Sequence, residues 1–128
     1  QNVYGEGQSL KNPCTGILSI FSVLAYHGQP IEIYEDGKQS RDFIHVSDII
    51  DVIYDSILQP KGPNFINVGC GIPVSVLDVA KEINLFFGNN GNTEMTNFYR
   101  QGDIRHNFAD TSILTGKSFR ITKFFILM

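Results

Sequence analysis

The 128-residue sequence contains no tryptophan and only two cysteines, Cys14 and Cys70. These stand far apart and in no CxxC or zinc-ligand spacing, so two free thiols in a reducing cytosol are expected rather than a disulfide or a metal site. His27, His45 and His106 are equally scattered, with no HxxxH or HExxH spacing, and offer no metal-binding pattern. No apolar run approaches the ~20 residues of a membrane span, and no signal peptide opens the chain, so the expected location is the cytoplasm, with no membrane partner. Charge of one sign is scarce as well. Ten Lys+Arg against thirteen Asp+Glu leave a formal net charge of −3, without the basic face that nucleic acid or an anionic membrane requires. Repeats and low-complexity tracts are absent. There is no initiator methionine before the turn-like NVYGEGQ, which reads as the start of an excised or incomplete fragment, with a natural N-terminus as the alternative.

What is present is an α/β pattern of helices between short strands. Residues 1–16 hold three glycines and a proline among polar residues and read as a loop. Thr15 is placed to cap a helix from Gly16 to His27, with Ile17, Ile20, Phe21 and Leu24 on one face and Gly28 as its stop. Ile31, Ile33 and Tyr34 suggest a strand, followed by a turn at Glu35-Asp36-Gly37. Phe43, Ile44 and Val46 form a second β-prone run. It leads into a helix capped by Ser47, with Ile49, Ile50, Val52, Ile53 and Ile57 at helical spacing, which fades at Gln59-Pro60 before a turn over residues 61–63. Phe65 to Val68 is expected as a strand closed by Gly69-Cys70-Gly71. Ser75 and Asp78 form a capping box, with aspartate in place of glutamate, for a helix carrying Val76, Val79, Ala80, Ile83 and Phe87. A strand over Met95 to Tyr99 and a short helix near Asp110 complete the pattern. The strands are too few and too short for a complete doubly wound sheet. The division expected is a 1–16 loop, a 17–113 core and an atypical 114–128 tail, whose apolar SFRITKFFILM needs a partner surface.

The cations that draw notice are Arg41, Arg100 and Arg105, each near an aspartate or glycine rather than in a basic run. A guanidinium fork suits a phosphate or carboxylate. The alternative is ordinary pairing with Asp42 and Asp103, a surface or loop-ordering contact worth ~0–1 kcal/mol when exposed. The Gly5–Gly7 and Gly69–Gly71 stretches do not complete the GxGxxG loop that cradles a dinucleotide. No nucleophile-base pair is evident.

Five segments in order resemble one family: QNVYGEGQ, NPCTGILSIF, GQPIEIYEDGKQSRDFIHVSDIIDVI, FINVGCGIPVSVLDVAKEI and RQGDIRHNFADTS. Together they resemble the substrate-binding portion of the extended short-chain dehydrogenase/reductase family, the nucleoside-diphosphate-sugar epimerases and dehydratases. The resemblance implies an upstream Rossmann domain, absent from this chain, that binds NAD and carries a catalytic tyrosine-lysine pair. It implies no cofactor for this chain itself and NAD for a full-length parent.

Carried over by motif, Asn2 would meet the sugar or its diphosphate and Tyr34 would lie against a pyrimidine base. Arg41 and Arg100 would clamp the diphosphate, with Arg105 a further candidate for that anion, and Asp103 would take the ribose hydroxyls. Cys14 stands where the family commonly has tyrosine, and the tail departs from the family's course. The expected function is the dTDP- or UDP-hexose-binding part of an NAD-dependent sugar 4-epimerase, inactive alone. The alternatives are a 4,6-dehydratase fragment, or a non-catalytic remnant that self-associates through exposed apolar surface.

Overall fold

The computed structural model describes residues 1–11, 16–59 and 65–115. The expectations for Cys14, Thr15, the turn over residues 61–63 and the apolar tail lie outside them. Helix α1, Ile17–Tyr26, is apolar around most of its circumference, so it can serve two neighbours at once. Leu18, Ser19, Phe21 and Ala25 are buried, while Ile17, Ile20 and Leu24 are half-buried beside them. Its N-cap is Gly16, with no side-chain cap bond, and Gly28 ends the helix at φ +65°.

Strand β2, Ile31–Tyr34, shows the alternation expected of it: Ile31 and Ile33 are fully buried, Glu32 and Tyr34 exposed. It pairs in parallel with β6, Thr93–Thr96, in the register Ile31↔Thr93 and Ile33↔Met95. The sequence placed that second strand at Met95 to Tyr99. The ladder runs instead from Thr93 to Thr96, and just past it the Glu35 N–H donates to the Phe98 carbonyl at 3.0 Å. Gly37 closes the turn at φ +70°, and a Cβ there would fall 2.9 Å from both Ile33 Cγ2 and Leu77 Cβ. Only glycine lets the start of the third helix seat this closely, with the Leu77 N–H on the Gly37 carbonyl at 3.0 Å.

Strand β3, Ser40–Arg41, is the centre of a three-stranded sheet, antiparallel to β5, Val74–Ser75, and parallel to β7, His106–Asn107. Strand β4, Phe43–His45, pairs in parallel with β1, Asn2–Tyr4, in the register Asn2↔Phe43. The reading of residues 1–16 as loop is corrected at Asn2–Tyr4, which form a strand. The partner that makes Asn2 to Tyr4 a strand lies 41 residues away in sequence, beyond the reach of local patterning.

Helix α2, Val46–Leu58, starts earlier than Ser47 would set it. His45 is the cap, its Nδ1 accepting the Ser47 N–H at 3.3 Å. Of the anticipated apolar face only Val52 is buried, and Ile50, Ile53 and Ile57 are exposed together with Tyr54 and Leu58. Helix α3, Val76–Phe86, has the expected cap: Ser75 Oγ accepts the Asp78 N–H at 3.0 Å and donates to its carboxylate at 2.6 Å. No strand forms over Phe65 to Val68. Phe65 is 86% exposed, and these residues pair with no neighbouring strand among those described.

The short α4, Ser112–Thr115, follows Asp110, whose carboxylate accepts the Ser112 N–H and is held below the usual carboxylate range by it. One core joins α1 and α3 across Ile31, Ile33 and Phe43, with Val79, Ala80 and Ile83 contributed by α3. No helix of the described residues is long and apolar enough to cross a membrane.

Candidate functional site

Arg41 and Asp42 are neighbours in sequence that the fold sends to different tasks. Asp42 is fully buried where β3 gives way to β4. Its Oδ1 accepts the Cys70 N–H at 2.9 Å, and its Oδ2 accepts those of Gly71 at 2.9 Å and Ala109 at 3.1 Å. One carboxylate therefore orders two remote loops. Gly69 must lack a side chain, because a Cβ would press on Asp42 Oδ2 and stand 2.6 Å from Ala109 Cβ. The pairing with Arg41 envisaged from sequence is replaced by these three backbone donors, which a carboxylate flanked by N–H groups satisfies better.

Arg41 lines a cavity of about 760 Å³. Its Nη2 meets Asp103 Oδ1 at 2.7 Å, and its Nη1 donates to the carbonyls of Ser40 at 2.9 Å and Arg105 at 3.2 Å. The side chain is only 15% exposed, so its fork is held in place before any ligand arrives. The Asp103 N–H closes a turn onto the Arg100 carbonyl at 3.0 Å, and both of those side chains also face the cavity wall. Asn2 arrives from β1, its N–H bonded to the Asp42 carbonyl at 2.7 Å, and Tyr34 from the end of β2.

Five of the six candidate residues, Asn2, Tyr34, Arg41, Arg100 and Asp103, thus converge on one cavity from four separate parts of the chain. Arg105 does not line it. Its guanidinium bridges Glu35 Oε2 at 2.9 Å and Asp36 Oδ2 at 2.6 Å, which ties the 100–105 segment to the turn after β2. That bond, with the Lys38 backbone N–H, holds the Asp36 carboxyl below its ordinary range, and the same pair of carboxylates raises Arg105.

The lining also has an oily part: Ile17, Ile20, Phe21 and Leu24 of α1, with Pro30 and Val76. Sequence spacing put this stripe of α1 on one face, and the same residues also pack at the core. Gln39 and Glu32 also line the cavity and carried no sequence signal. The lining combines an aromatic ring and apolar side chains with two guanidinium groups and a carboxylate. That suits an anion attached to a flat, partly apolar group.

Two features bear on a dinucleotide cofactor. The Cys70 and Gly71 N–H groups in the glycine turn are committed to Asp42, so this turn does not hold a pyrophosphate. Tyr34 and Lys38 have a tyrosine-lysine spacing of four. They flank a turn in which Glu35 takes φ +52°, not a helix on which such a pair shares a face. Beside β1 lies a separate titratable group: burial, with the charges of Cys70 and Asp48, pushes the Tyr4 phenol up.

A model of the NAD dependent epimerase/dehydratase family matches residues 1–69. The dTDP-L-rhamnose 4-epimerase of Burkholderia thailandensis is 39% identical over 113 residues, spanning 88% of this chain and 31% of that protein. Among solved structures, the UDP-N-acetylglucosamine 4-epimerase from Methanobrevibacter ruminantium M1, in complex with UDP-N-acetylmuramic acid, superposes with a TM-score of 0.78 at 30% identity. That match covers 95% of this chain and 39% of the other. The UDP-glucose 4-epimerase of Thermotoga maritima, bound to UDP-glucose, gives 0.75 at 26% identity, over 90% and 36% of the two chains.

Proposed function

Because the chain belongs to the NAD dependent epimerase/dehydratase family, we propose that it is the nucleotide-sugar-binding part of an NAD-dependent sugar 4-epimerase, taking a dTDP- or UDP-hexose. The observation that carries this reading is the convergence of Tyr34, Arg41, Arg100, Asp103 and Asn2 on one cavity. Arg41 and Arg100 clamp the diphosphate, Asp103 accepts from the ribose hydroxyls, Tyr34 lies against the base and Asn2 reaches the sugar side. Asp103 Oδ1 already holds Arg41, so the ribose is read by an oxygen whose position that ion pair sets.

NAD supplies oxidation at the sugar C4 in the full-length parent. The Cys70 and Gly71 N–H groups of the glycine turn are taken by Asp42, and no reaction step is assigned to the described residues. The 128-residue chain alone is accordingly a binding unit without turnover. Calorimetric titration with UDP and dTDP tests this: saturable binding is expected, and its loss in Arg41→Ala. Absence of binding to either nucleotide by the folded protein would overturn the proposal.

A second reading concerns assembly. Ile50, Ile53, Tyr54, Ile57 and Leu58 leave one face of α2 apolar and exposed, which favours self-association. Light scattering coupled to size exclusion should show a dimer or larger species, and a monomer at high concentration would overturn it.

A further inference from the structure

Arg105 stays off the cavity lining, yet its carbonyl accepts from Arg41 Nη1 at 3.2 Å and from the Ser40 N–H at 2.9 Å. Its guanidinium is bolted to the Glu35 and Asp36 carboxylates in the turn that follows Tyr34. One residue therefore ties the Arg41 fork to the strand end that carries the aromatic ring. Both ion pairs are exposed, a setting in which such pairs contribute little to stability. Glu35 also takes φ +52°, and among the described residues no other non-glycine has a positive φ. Glycine would sit there without strain, so a side chain kept in that conformation points to a task for the side chain. The contact it makes is the 2.9 Å bond from Arg105.

We infer that Arg105, clamped by Glu35 and Asp36, is a positioning residue that holds the Arg41 guanidinium ready for an anion. This rests on the nucleotide-diphosphate reading above and adds to it residues that touch no ligand. Three acceptors fix the Arg41 fork: the Ser40 carbonyl, the Arg105 carbonyl and Asp103 Oδ1. The first belongs to its own strand. The other two lie on the segment that the Arg105 clamp fastens to the turn at Glu35 and Asp36. Releasing the clamp loosens that segment, so Arg41 must be ordered as the ligand binds, and affinity falls although no group facing the ligand has been removed.

The test uses the full 128-residue chain and two variants. Glu35→Gln combined with Asp36→Asn keeps both shapes and removes both charges, while Glu35→Gly relieves the positive φ. Calorimetric titration with UDP should show both variants about threefold to tenfold weaker than wild type, although Glu35→Gly keeps or raises the urea midpoint. Without ligand, the Arg41 Nη protons should give separate magnetic resonance signals in wild type and averaged ones in both variants. Charge alone gives the opposite sign for the double variant, because deleting two acidic groups beside Tyr34 makes the surroundings of an anion more positive. Equal or tighter UDP binding by the double variant would overturn the assignment. So would Arg41 signals identical in all three proteins. A wild type that does not bind UDP would strike the nucleotide reading instead, and the ligand-free Arg41 signals would still decide the positioning role.

Discussion

Asp42→Asn keeps shape and volume at the loop hub but changes one oxygen into an NH2 group and removes the charge, so its cost reports the charge-assisted hydrogen bonds rather than packing. In wild type, Oδ1 serves one N–H and Oδ2 serves two, at 2.9 to 3.1 Å, inside a site with no solvent exposure. The least harmful orientation of the amide puts its nitrogen where Oδ1 was. The Cys70 N–H then faces a donor, and a buried unpaired donor costs about 1–3 kcal/mol. The other two bonds persist but lose their charged acceptor, which roughly halves them. The sum is about 3–5 kcal/mol, a large share of the ~5–15 kcal/mol typical of a domain. Urea denaturation of both proteins at neutral pH, followed by far-ultraviolet circular dichroism, reads this directly. A loss below about 1 kcal/mol would refute the claim that the three N–H groups depend on this carboxylate.

Ser75→Ala removes the cap of α3 and should lower stability by about 1 kcal/mol in the same assay, with Ser75→Thr recovering most of it. The Asp36 carboxyl has its folded pKa depressed below 3.8, mainly by the Arg105 hydrogen bond. Its contribution is thus present above that pH and lost as pH falls through the lower folded value, so Arg105→Met, which lacks the depression, should be less stable than wild type at neutral pH, with the gap closing in an acid titration through that window. Tyr4 has the opposite sign: its folded pKa is raised above 10.0, so its contribution is intact below that pH and is lost as pH rises through the folded value. Tyrosinate absorbance should show one phenol titrating late, and Tyr4→Phe should remove that late component.

Local chemistry was legible in the sequence wherever the deciding atoms were neighbours. The Ser75–Asp78 cap, the Gly28 stop and the Ile31–Ile33 alternation follow from residues within four positions of one another. What was not legible depends on partners far along the chain. Asn2 to Tyr4 is a strand only because Phe43 to His45 lies beside it. The Arg41–Asp42 doublet read as a pair, yet Asp42 answers to Cys70, Gly71 and Ala109 while Arg41 answers to Asp103. The α2 stripe was visible as helical spacing, but periodicity does not say what will cover it, and here its residues stand exposed. For the site, arginine chemistry singled out Arg41 and Arg100, and both line the cavity. Nothing in the pattern separated Arg105, which is spent on Glu35 and Asp36. Gln39 was invisible because one glutamine carries no pattern, and only the fold sets it on the cavity wall.

The ion pair between Arg41 and Asp103 joins positions 62 apart, and the bridge from Arg105 reaches back 70 residues to Glu35. For a chain emerging from a ribosome, this sets an order of events. The oily wall of α1, the aromatic ring and the first arginine are all made early, and they wait unpartnered while the middle of the chain is translated. The second arginine and the carboxylate that steadies Arg41 are the last of the lining residues to be made, and the cavity's polar lining is incomplete until they are. A nascent chain stalled before residue 103 therefore leaves Arg41 without its carboxylate and the α1 side of the cavity unclosed. Translation past that point is what completes the cavity.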